Sequence, residues 1–365
     1  MNLEVAPTDS AFWQDREDLS NEFMRLLAAA QDGRSTVAEC MLTAGRIEIG
    51  DDASWHREWK RIADVSMGRG DAAAGNGNQV TARANWLRAI TYYGAALFSL
   101  DTTDERRQVA FAGMRDCAGR YLRCRKPAGE VVTIPWLEGY PLQGYFLPAE
   151  APTGRAPAVI CIGEPDRLKE ELLAKLDHHG RDRGLSLLVV DLLGEGTGDR
   201  LDEVIGRPDM ELAISQFMNY LADRDDIDEH RIAILADEWS SSFVARGVAK
   251  DPRFAAAVCD GGIWDLHERA FLAVRRASVD AEIVPDAEAG RIARNIACPL
   301  LITLGERGWL KVDRVARMVK RLKISRSDLT FRVFAASETA AAQGHADNPT
   351  LANEFIFDWI ASRLG

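Results

Sequence analysis

Ile232-Ala233-Ile234-Leu235-Ala236-Asp237-Glu238-Trp239-Ser240-Ser241 runs from a β-rich apolar stretch through a tight turn of acidic and small residues into a helical pattern. A strand that enters a helix this abruptly is the setting of a nucleophile elbow, whose usual form is Gly-x-Ser-x-Gly. Similar short apolar runs lie on both sides of it, at residues 158–162 and 185–190 before and at 255–259, 300–304 and 329–334 after. Helical patterns separate them, one reaching residue 182, one near 211–221, and a last one ending at 364. Strands joined by crossover helices predict a mostly parallel sheet covered on both faces, a three-layer α/β domain. Ligands of such sheets sit at the carboxyl ends of the strands, so the loops after the strands hold the candidate site residues.

Upstream, residues 131–135 and 142–147 flank Glu138-Gly139-Tyr140 and predict a hairpin. Arg125-Lys126-Pro127-Ala128-Gly129 supplies the charge, proline and glycine of a linker. Residues 9 to about 125 read as helices. Val80, Ala84, Leu87, Ile90, Gly94 and Leu97 form one expected stripe, Thr36 and Glu39 have capping-box spacing, and residues 101–105 resemble a helix entry. The expected division is a helical domain over residues 1–126 and an α/β domain over 127–365.

Composition narrows the function classes. The 365 residues carry a formal charge of −11 with no basic stripe, which excludes the electrostatic footprint of a nucleic-acid binder. Apolar residues make up 47% and charged residues 28%, enough for a sizeable core. No run approaches the ~18 apolar residues of a membrane span, and Met1-Asn2-Leu3-Glu4-Val5 has no secretion signal, so the expected compartment is the cytoplasm. Cys40, Cys117, Cys124, Cys161, Cys259 and Cys298 are scattered without metal-ligand spacing and read as small hydrophobes, with no metal expected. Gly194-Glu195-Gly196-Thr197-Gly198 lacks the Walker Lys-Ser/Thr and the dinucleotide pattern, so no nucleotide and no cofactor are expected.

Four segments carry a more specific resemblance: residues 82–93 (Ala-Arg-Ala-Asn-Trp-Leu-Arg-Ala-Ile-Thr-Tyr-Tyr), residues 163–171 (Gly-Glu-Pro-Asp-Arg-Leu-Lys-Glu-Glu), residues 191–198, and Gln343-Gly344-His345. Together they resemble the α/β-hydrolase superfamily, in the group of 2,6-dihydroxypseudooxynicotine hydrolase and the fermentation-respiration switch protein, over nearly the whole length. The resemblance implies an α/β-hydrolase fold with an N-terminal all-helical domain that covers the active-site cleft, a helical excursion around residues 266–295, and a homodimer.

Departures from that group shape the functional expectation. An ungapped match through the elbow puts Glu238 where the nucleophilic serine belongs, with Ser240 and Ser241 at the glycine positions. In Gly305-Glu306-Arg307-Gly308, the match places Gly308 where the triad acid is expected. Trp239 can still give a backbone N–H to an oxyanion hole, whereas Pro165 has none. What remains is a carboxylate, Glu238, and the imidazole of His345, a pair suited to proton transfer. Asp166 falls where the resemblance implies an additional catalytic carboxylate. Glu164 is expected nearby, and Asp260, at a strand end, is a candidate replacement for the missing acid. His56, His178, His179 and His230 read as structural, the middle two on a surface helix.

The expected function is a cofactor-independent enzyme doing Glu238/His345 acid–base chemistry on a keto- or hydroxy-bearing small molecule: cyclisation, dehydration or carbon–carbon cleavage. Hydrolysis with a carboxylate nucleophile or base, and a binding protein on a disabled hydrolase, are the alternatives.

Overall fold

In a computed structural model the chain divides into two compact units, Met1–Ala118 with Ala346–Asn348, and Gly119–His345 with Pro349–Gly365. The structure describes residues 13, 16–101, 103–137, 140–150, 154–163, 168–191, 210–263, 294–308, 310–323 and 328–365. The expected excursion at 266–295 thus lies almost wholly outside the described residues, as do Glu164, Pro165, Asp166 and the glycine run 194–198.

The first unit is helical: α1 (Glu17–Ala28), α2 (Val37–Ala44), α3 (Asp52–Gly75), α4 (Gln79–Phe98) and the start of α5 (Arg106–Cys124). The Thr36 side chain accepts from the Glu39 N–H at 3.1 Å and caps α2, and Asp104 Oδ1 accepts from the Arg106 N–H at 2.8 Å at the start of α5. Phe23, Trp55, Trp59 and Tyr92 pack as a chain of tilted rings in the core, and Trp55 Nε1 donates to the Ala95 carbonyl at 2.7 Å. The stripe on α4 holds at Ile90, Gly94 and Leu97, which are buried, and fails at its start: Val80 is 73% exposed, and Ala82, Trp86, Ala89 and Tyr93 join the buried line. Trp86 and Tyr93 each carry a polar tip, bonded to Asp71 and Asp64, so two large amphipathic rings outcompete valine for the inner face.

The second unit holds β1 (Glu130–Leu137), β2 (Tyr140–Leu147), β3 (Ala156–Ile162), α6 (Lys169–Arg181), β4 (Ser186–Val190), α7 (Met210–Ala222), β5 (Ile227–Ala236), α8 (Ser241–Lys250), β6 (Ala256–Asp260), β7 (Leu300–Gly305), α9 (Val312–Leu322), β8 (Leu329–Phe334) and α10 (Pro349–Leu364). The strands form one sheet in the order β1-β2-β4-β3-β5-β6-β7-β8, antiparallel where β2 meets β1 and β4 and parallel from β4 to β8. Alternation along the strands feeds two cores. Ile160, Ile234, Cys259 and Ile302 pack with Phe217 of α7, Phe243 of α8 and Val319 of α9, while intervening residues such as Cys161 and Leu235 lie with Leu172 and Leu176 of α6 and Asn353 of α10. No helix of the described residues is long and apolar enough to cross a membrane.

α8 backs the elbow, and its seat depends on Gly247: a Cβ there would lie 2.4 Å from Ile214 Cγ1 of α7. An exposed helical Gly→Ala change gains about 1 kcal/mol of propensity, but overpacking costs about 1–3 kcal/mol. Gly247→Ala is therefore expected to lower stability in a denaturant titration, with part of the loss recovered in the double variant with Ile214→Ala. A stabilised single variant would show that α7 and α8 are not in this contact.

Candidate active site at the carboxyl edge of the sheet

Glu238 sits in a 3-10 turn between β5 and α8, with φ of +49°. Left-handed backbone costs a non-glycine residue about 1–3 kcal/mol and persists only where neighbours over-determine it. Here they do. The Asp237 N–H donates to the Ile162 carbonyl at 2.9 Å, the Ser240 hydroxyl donates to the Gly163 carbonyl, and the Ser241 hydroxyl donates to the Asp260 carbonyl at 2.7 Å. Gly261, at φ +106°, lets β6 end close against the turn, since a Cβ there would lie 2.8 Å from Glu238 Cα. Both serines of the turn thus spend their hydroxyls on backbone carbonyls. Trp239 places its backbone in the same turn.

The Glu238 side chain reaches the loop that precedes α10. Its Oε1 accepts from the Gly344 N–H at 2.6 Å and its Oε2 accepts from the Gln343 side-chain amide. His345 lies in that turn, 2% exposed, with φ of +53°. Its Nε2 is 2.8 Å from Asp260 Oδ1 and its Nδ1 is 2.5 Å from the Ala340 carbonyl. Both ring nitrogens face acceptors, which calls for a proton on each and makes the ring an imidazolium. Asp260 Oδ1 also accepts from the Thr303 hydroxyl at 2.6 Å. Glu238, Asp260 and His345 are therefore gathered at the ends of β5, β6 and the last loop, all buried.

Burial, and then the negative charge of Asp260, push the Glu238 carboxyl up to about 8, against the pull of the imidazolium and the Gly344 N–H. Burial works against the charge on His345, but its pairing with Asp260 outweighs it and raises the ring to about 9. Burial alone would raise Asp260; the facing imidazolium holds it below the usual carboxylate range. With Glu238 protonated, the trio is neutral overall.

The described residues hold a second buried polar cluster. Lys169, at the start of α6, donates from its backbone N–H and its ammonium to Asp191 at 2.6 and 2.8 Å, and the Tyr145 hydroxyl donates to Glu170 at 2.5 Å. Burial lifts Asp191 to about 6. These bonds tie the start of α6 to the end of β4, which explains the Lys-Glu-Glu end of the resembling segment as framework. Lys175 pairs with Asp237 at 2.8 Å beneath the elbow.

Of the expected site residues, the structure brings Glu238, His345 and Asp260 together; Asp166 and Glu164 fall outside the described residues, and of Trp239 only the backbone is described. Sequence reading missed Gln343 and Thr303. Gln343 stood in the quoted turn, but only folding shows which side chain it meets. His179 corrects the surface-helix expectation: it is 2% exposed and stacks on Phe357, because α10 covers that face of α6. His56 is buried on the Ala96 carbonyl and His230 is exposed, as expected of structural histidines.

No protein-family model matches the chain. The α/β hydrolase xenA of Xenoacremonium sinensis is 30% identical over 327 residues, covering 83% of this chain and 75% of that protein. The chain belongs to the α/β-hydrolase family. Hydrolyase poxO of Penicillium oxalicum is also 30% identical, over 260 residues, and the chain spans 60% of its length. The solved structure of 2,6-dihydroxy-pseudo-oxynicotine hydrolase shares the α/β-hydrolase fold, with a TM-score of 0.74 at 21% identity over 94% of this chain and 95% of that one.

Two outcomes follow from the geometry. Since Ser240 and Ser241 are committed to carbonyls, the protein is expected to remain unlabelled by fluorophosphonate probes; stoichiometric labelling at either serine would place the nucleophile there. The titrations also fix a sign. Glu238 and His345 bind protons more tightly folded than unfolded, so their contributions are complete below the ordinary values of 4.5 and 6.5 and are lost up to about 8 and about 9. The melting temperature should fall as pH rises from 7 to 9, and Glu238→Gln should flatten the pH dependence below 8. Parallel curves for wild type and variant would place Glu238 at its ordinary value.

Proposed function

We propose that this α/β-hydrolase-family protein is a cofactor-independent enzyme in which Glu238, standing where the family carries its serine, carries protons for the elimination of water from a small hydroxy-carbonyl molecule. The observation that carries this reading is a buried carboxyl, held by two amide donors beside a fixed Asp260–His345 pair, whose burial raises its titration toward neutrality. A proton carrier works best with its titration near the working pH, where both forms are populated. The hydrolyase name of poxO points the same way.

In this reading, ionised Glu238 takes the proton α to the substrate carbonyl, and that electron pair becomes the new carbon–carbon double bond as the β carbon–oxygen bond breaks. Glu238 then returns the proton to the departing hydroxyl, which leaves as water, and the carboxylate is regenerated. His345 keeps its proton. Its charge, held by Asp260, steadies the ionised carboxylate and the enolate that develops beside it.

Hydrolysis through a Glu238 nucleophile or base is the second reading, supported by the hydrolase names among the relatives and by the two donors on the carboxylate. Each oxygen keeps a second lone pair beside its donor, so the fate of solvent oxygen is what separates the two readings.

Incubation of wild type with hydroxy-carbonyl metabolites is expected to give products one water lighter, without solvent ¹⁸O. Glu238→Gln is expected to lose on the order of 10²-fold or more in kcat with substrate binding retained. Products carrying ¹⁸O would support hydrolysis, and a rate unchanged by both Glu238→Gln and His345→Ala would place the chemistry elsewhere.

A further inference from the structure

Gly308 follows β7 in a turn closed by its N–H on the Gly305 carbonyl at 3.0 Å, and the family resemblance puts an acid there. A Cβ on Gly308 would lie 3.0 Å from Gln343 Oε1. The space that a side chain at 308 would enter is thus taken by the Gln343 carboxamide, whose N–H donates to Glu238 Oε2, while the Gly344 N–H donates to Oε1. We infer that Gln343 is a positioning residue for Glu238 and that Gly308 is the space which admits it. This rests on the reading of Glu238 as a proton carrier and adds what sets its orientation.

The physical case is one of charge type. Bonds to both oxygens of a carboxylate, one from a side-chain amide and one from the backbone, form a fork like that of a guanidinium but without its charge. An arginine in this place would pull the Glu238 titration far down and leave the group ionised at all working pH. An empty place would leave burial and the charge of Asp260 opposed by less, and the carboxyl would hold its proton more tightly. A neutral amide fixes the plane of the carboxyl and favours its ionised form only moderately. The charged groups acting on Glu238 are Asp260, His345 and Asp237, the last paired with Lys175. None of them is altered by changing residue 343 or 308. The room that the resemblance gives to an acid at 308 is, in this chain, occupied by the donor that holds the Glu238 carboxyl.

The test reads Glu238 directly and needs no substrate. The carboxyl C=O stretch of the full chain is followed by infrared difference spectroscopy against pH, with Glu238→Gln identifying the band. Gln343→Met keeps the bulk of the side chain and removes the donor; its Glu238 band is expected to titrate about one unit higher than in wild type, with unchanged far-ultraviolet circular dichroism. Gly308→Ala, which crowds Gln343 without replacing it, is expected to shift the band in the same direction by less. Should Gln343→Met fail to fold, the shift in Gly308→Ala decides alone. A wild-type titration point in the variant that folds, or a downward shift, overturns the inference. Failure of the functional reading looks different: turnover untouched by Glu238→Gln, with the infrared shift in Gln343→Met still present.

Discussion

Three ionisable side chains, Glu238, Asp260 and His345, share one buried corner at the carboxyl edge of the sheet. Removing charge from water is costly unless it is neutralised nearby, and this constraint organises the surroundings. Asp260 and His345 satisfy it by pairing at 2.8 Å, with Thr303 and the Ala340 carbonyl taking the remaining directions. Glu238 has no cation of its own at hydrogen-bond distance among its described contacts; amide donors hold it, and it meets the constraint by keeping its proton to about 8. Its unusual titration is thus the consequence of a pair completed without it.

Backbone geometry makes the gathering possible. Glu238 and His345 both adopt left-handed conformations, at φ +49° and +53°. One is fixed by the strand-to-helix turn and the serine anchors, the other by the loop before α10. Gly261 allows the end of β6 to approach the elbow closely enough for Asp260 to reach His345. The buried Lys169–Asp191 pair ties α6 to the end of β4 and has no contact with the trio among the bonds described. Part of the family-like sequence is therefore framework.

Much of the architecture was legible in the sequence. Short apolar runs located the eight strands to within a few residues, because a sheet covered on both faces imposes continuous apolar runs, whereas the helix Val312–Leu322 between β7 and β8 was not placed. β5 was the exception, beginning at Ile227 and five residues before the expected run, since Asp228, Glu229 and His230 lie in its exposed half and carry no apolar signal. On α4, the competition between Val80 and the ring-bearing positions was settled by partners on α3 that a one-dimensional pattern does not contain.

The sequence by itself determined that Glu238 stands where the β-rich run turns into a helical pattern and that a histidine stands ahead of the last helix, because residue identity and spacing carry that information. Only the tertiary structure decided which acid the histidine pairs with, that both ring nitrogens are engaged, and that Gln343 grips Glu238. Those relations join residues 85 to 105 positions apart in the chain, and their energies depend on burial and on distances of a few ångströms that arise only when the strand ends converge.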